Sequence, residues 1–91
     1  MNIIEQLKWD IAVCTDELHS LTKVVKNTDE TYMEDASEEN KLFLMETIDR
    51  YKSVIDKTKI LLEALFAEEK RENIPTEFVY RRLYKKIEDA Y

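Results

Sequence analysis

Ninety-one residues with no glycine, one proline and one cysteine form a chain suited to helix, because an interior glycine costs a helix about 1 kcal/mol relative to alanine. Phosphate-cradling loops, dinucleotide-binding turns, nucleophile elbows and tight hairpins need positive φ or close backbone approach, so the composition argues against an enzyme. The formal net charge of −6 is concentrated: residues 28–40 hold six acidic and no basic side chains, and the remainder sums to neutral.

In the first segment Ile4, Leu7, Ile11, Cys14, Leu18, Leu21 and Val25 recur at alternating spacings of three and four, the a/d stripe of a coiled coil or long bundle helix. The stripe predicts a helix over about 3–27, ending at Asn27, Thr28 and Asp29, where an asparagine can take the left-handed C-terminal conformation. Cys14 lies in the stripe and reads as a small buried hydrophobe rather than a reactive thiol. Trp9 and Val13 lie four apart and off the stripe. They form a second apolar spot, expected to meet the third helix, another protomer or a partner. His19 is the only histidine, and Asp16 is its one neighbour at helical spacing. Neither a metal site nor a cofactor is expected from so sparse a donor set.

Residues 28–37 are expected to be an acidic linker. Asp29, Glu30, Glu34 and Asp35 lie in it, and Glu38 and Glu39 follow. A calcium loop of EF-hand type would need a central glycine, and paired-carboxylate catalysis would need a pocket that separates two pKa values. Two uses remain: a solvated linker that caps a helix, or a docking surface for a basic partner. Tyr32 and Met33 interrupt the acids as in acidic-hydrophobic recognition segments, or else tuck over the end of a bundle.

A second stripe, Leu44, Ile48, Tyr51, Ile55, Thr58, Leu62 and Leu65, predicts a helix over about 38–72. Ser37 or Asp35 would be its N-cap, with Glu38 and Glu39 in the first turn, where carboxylates favour the helix dipole. Lys70 and Arg71 suit the opposite pole. Pro75 pushes Ile74 out of the α region and ends the helix.

A shorter third helix over about 76–90 carries Val79, Tyr80, Leu83, Tyr84, Ile87, Ala90 and Tyr91 on one side. Arg81, Arg82, Lys85 and Lys86 lie on the other. Phe78, Tyr80, Arg81, Arg82, Tyr84 and Lys85 include the residue types enriched at binding hot spots and form a second candidate partner-binding surface. The plainer alternative packs the tyrosines on the bundle and leaves the basic face in solvent. An isoelectric point near 4.8 speaks against direct nucleic-acid binding.

The expected architecture is a single all-α domain, an antiparallel hairpin of two long heptad helices plus a shorter C-terminal helix. It would form a three-helix bundle or, preferentially, a homodimer in which hairpins pair into a four-helix core. The expected function is non-enzymatic: a small acidic regulator or inhibitor that occludes a basic, even nucleic-acid-binding, surface of a partner protein. The alternative is a homo-oligomeric coiled-coil assembly or scaffolding protein. A cytoplasmic location without a membrane segment is expected, because the N-terminus lacks a signal-like apolar run and no apolar run exceeds four residues.

Overall fold

The structure, a computed structural model, describes residues 2–89. Three helices form it: α1 spans Ile3–Glu34, α2 spans Glu38–Arg71 and α3 spans Phe78–Asp89, with no strand among the described residues. The chain is thus an all-α bundle, as its stripes imply. Residues 35–37 turn it back on itself, so that Cys14 on α1 lies near Leu61 on α2 and Glu17 pairs with Arg50 at 3.4 Å. The result is an elongated body of 53 × 25 × 14 Å.

Caps account for the helix ends. Asn2 opens α1, its side-chain oxygen accepting the Glu5 amide at 2.9 Å, and Ser37, rather than Asp35, opens α2 by accepting the Asn40 amide at 3.2 Å. Asp35 instead closes α1, its amide donating to Thr31 at 2.9 Å. At the end of α2 the Asn73 amide donates to the Lys70 carbonyl and the Ile74 amide to the Glu69 carbonyl. Those two bonds make the Schellman closure that needs a left-handed residue. Asn73, at φ 57°, is that residue.

Three boundaries differ from the sequence expectation. First, α1 does not stop at 27: residues 28–34, read as linker, complete the helix. The heptad spacing continues through Thr28 and Tyr32, and Thr28 is buried with its hydroxyl donating to the Val24 and Val25 carbonyls. A threonine satisfied inside its own helix can fill a seam position, so the left-handed asparagine is Asn73 and not Asn27. Second, α2 ends at Arg71 because the Schellman turn takes the next two residues. Third, α3 starts at Phe78, since the Thr76 hydroxyl is bonded back to Glu69 and Thr76 therefore belongs to the connection. Ala90 and Tyr91 lie outside the described residues.

The core is lopsided. At the end that holds α3, which we call the base, Ile4, Ile11, Ile55, Leu62, Leu65 and Ile87 form one buried cluster. Cys14, Leu21 and Val54 continue it towards the middle. Beyond Leu21, in the half formed by α1 and α2 alone, the buried residues are Thr28 and Thr47. Leu42, Phe43 and Met45 are exposed there. With only twelve residues, α3 is too short to cover both halves.

Candidate functional site

The two candidate surfaces lie at opposite ends of the molecule. At the tip, where α1 gives way to α2, Asp29, Glu30 and Glu34 occupy the last turns of α1, Asp35 caps it, and Glu38 and Glu39 occupy the first turn of α2. All six side chains are exposed. Tyr32 is half-buried, whereas Met33 is 78% exposed, so of the two only Met33 is fully presented to a partner. The two helix poles treat these charges differently. Glu38 and Glu39 stabilise the positive pole of α2, but α1 has no basic residue in its last turn, and its carboxylates face a negative pole. Each such interaction is worth about 0.3–1 kcal/mol. Part of the acidic tip therefore works against the helix that carries it.

At the base, α3 divides the residues that the sequence grouped together. Tyr80 and Tyr84 pack inward against the buried cluster. The Tyr84 ring meets Phe66 edge-on, with centroids 5.5 Å apart, and its hydroxyl donates to Glu63 at 2.9 Å. That hydrogen bond, helped by desolvation and by the charges of Glu63 and Glu88, raises the phenol pKa to about 12. Lys59 and Lys8 lie over the Tyr84 and Tyr80 rings at 5.9 and 5.7 Å. Phe78, Arg81, Arg82 and Lys85 remain exposed. The tyrosines are thus packing anchors, and the outward surface of α3 is basic with Phe78 at its start.

The backbone of α3 approaches α2 and reaches α1 only through side chains. An open groove of about 500 Å³ is left between α1 and α3. Ile11 and Leu83 lie deep in it, Ala12 and Val79 flank it, and Arg82 and Lys86 edge it. Lys8 spans its end, donating to Glu77 at 2.9 Å; that hydrogen bond raises the lysine pKa against the opposing effect of burial. Trp9 and Val13 do not seat α3, because α3 docks on the neighbouring face of α1. Trp9 is 63% exposed as a result, and Val13 is exposed beside it. His19 is exposed, and no group of three or more metal-ligating side chains occurs among the described residues.

One buried charged residue escaped the sequence reading. Glu69 is completely buried at the base. Its Oε1 accepts the Thr76 hydroxyl at 3.2 Å, while Oε2 has no hydrogen-bond partner among the described residues. The spacing of four from Leu65 puts it on the α2 stripe, which is the signal that could have found it. Its charge hid that position.

No helix among the described residues is long and apolar enough to cross a membrane. No family model, curated protein or solved structure matches the chain.

Proposed function

We propose that this chain is a non-enzymatic protein–protein interaction module of the cytoplasm, a small regulator or inhibitor whose acidic tip docks on a basic surface of a partner protein and occludes it. The observation that carries this reading is the tip itself: six exposed carboxylates around one turn, no basic residue among residues 28–40, and Met33 exposed among them. Carboxylates at helical spacing imitate a row of phosphates, so a nucleic-acid-binding groove is the kind of basic surface such a tip would block. Complementary charge speeds the encounter, and an apolar side chain adds contact area.

The test is capture of partners on the immobilised chain over a salt series, comparing wild type with the D29N/E30Q/E34Q/D35N variant. Capture should weaken as salt rises, because exposed charges are screened over about 8 Å at physiological ionic strength, and it should be lost in the variant. Capture that the four substitutions leave unchanged would falsify the reading.

A second reading, homo-oligomeric assembly or scaffolding by coiled-coil contact, draws support from Leu42, Phe43 and Met45, which are exposed on the half that lacks a third helix. Two hairpins pairing there would form a four-helix core and a homodimer. Such an assembly would be nearly indifferent to salt.

A further inference from the structure

We propose that the groove between α1 and α3 is the seat for the acidic tip of a second copy of this chain, so that copies join head to tail. The groove combines an apolar interior with a basic edge, unusual on an acidic protein. Val79 on its α3 wall is 60% exposed, and Arg82 and Lys86 stand one helical turn apart along that wall. An occupant that suits it presents an apolar side chain flanked by two carboxylates one turn apart.

The tip carries that arrangement. Glu30 and Glu34 are one turn apart on α1, with exposed Met33 between them. Side chains at this spacing lie about 5–6 Å apart on any helix, so the acidic pair matches Arg82 and Lys86 in period as well as sign. Of the other carboxylate pairs four residues apart, Glu34 with Glu38 and Asp35 with Glu39 straddle the turn between α1 and α2 and share no helix face, and Glu68 with the α2 cap Glu72 encloses Arg71, which is already paired with Glu68. Asp16, on the α1 wall of the groove, sets the orientation: the incoming carboxylates face α3 and turn away from α1.

A chain cannot fill its own groove. Groove and tip lie on the same uninterrupted helix, and Asp16 and Met33 are roughly 25 Å apart along it at about 1.5 Å per residue. The contact is therefore between copies, and it joins two different surfaces. Each added copy exposes a fresh tip at one end and a fresh groove at the other, so the assembly closes into a ring or grows as a chain.

The inference rests on the acidic tip invoked above, but its test needs only the purified full-length chain in sedimentation velocity. Wild type should form oligomers that grow with concentration at low salt and dissociate as salt rises. The groove variant R82E/K86E and the tip variant E30Q/M33Q/E34Q should each be monomeric alone. Mixed in equal amounts they should form a one-to-one dimer and stop there, because only one intact tip and one intact groove remain to meet. The exchanged chain E30K/E34K/R82E/K86E should regain assembly, which rules out misfolding as the cause of the losses. Wild type that stays monomeric at low salt, assembly that survives in either variant as a symmetric dimer would, a mixture that remains monomeric, or an exchanged chain that fails to assemble each overturns the proposal. R82E/K86E also keeps its tip intact. Wild type that stays monomeric yet captures a foreign basic partner overturns this inference alone, and wild type that assembles while R82E/K86E captures no such partner overturns the proposed function alone.

Discussion

The base and the tip use the same heptad spacing and reach opposite results. At the base the seam is filled by Ile11, Leu62 and Leu65, and a third helix closes over them. Towards the tip, threonines 28 and 47 take the buried positions, and carboxylates crowd the end of the helix. A back-bonded threonine satisfies its hydroxyl but removes less apolar surface from water than leucine, at roughly 25 cal/mol per Å². The base supplies stability, then, and the tip uses some of it to hold like charges together.

The largest expected effect is at the base. Leu65→Ala should lower the unfolding free energy by about 2–5 kcal/mol, the usual range for a buried leucine, as measured by urea denaturation. A loss well below 1 kcal/mol would mean that the base is not the dominant core. Thr76→Ala comes next. It removes the only hydrogen bond to the Glu69 carboxylate among the described residues and should cost about 1–3 kcal/mol. In a Glu69→Leu background the same change should cost little, because no buried carboxylate is left to desert. A double-mutant cycle reads that difference directly.

At the tip, Glu34→Lys should do the opposite and stabilise the fold by about 0.3–1 kcal/mol, since a cation suits the negative end of α1. Partner capture should fall in the same variant. A destabilised Glu34→Lys would show that the tip carboxylates are not in conflict with their helix.

The last comparison is with pH. The folded pKa of Tyr84 is raised from 10.0 to about 12 and that of Lys8 is raised above 10.5. In both cases the protonated form is the one the fold favours. Their stabilisation is complete below the unfolded values and is lost as pH rises from about 10 towards 12. Thermal midpoints measured across that window should fall less steeply in Tyr84→Phe than in wild type. Equal slopes would show that the Glu63 hydrogen bond contributes nothing.

Much of this was legible before any coordinates. The stripes gave both long helices, Ser37 with Glu38 and Glu39 marked the start of α2, and Ile74 with Pro75 marked its end. The missed features share one cause, which is that polar residues other than Thr58 were not counted as seam. Thr28 looked like the edge of a linker because its hydroxyl partners are carbonyls of its own helix, invisible in a pattern of apolar letters. Glu69 looked like a surface charge because its hydrogen-bond donor, Thr76, lies across a turn. For α3 the stripe left Tyr80 and Tyr84 two uses, a partner-binding surface or packing on the bundle, and packing is the one observed. Only packing could show that this separates them from Arg81 and Arg82, and that α3 would leave a groove beside α1.

The missing glycine also bears on continuity. With Asn73 the one left-handed residue among those described, and no glycine anywhere, the helices are interrupted among the described residues only at residues 35–37 and at the joint between α2 and α3. Since α1 runs unbroken from the groove to the tip, Met33 at one end and Lys8 and Ile11, where α1 faces α3, belong to one continuous helix.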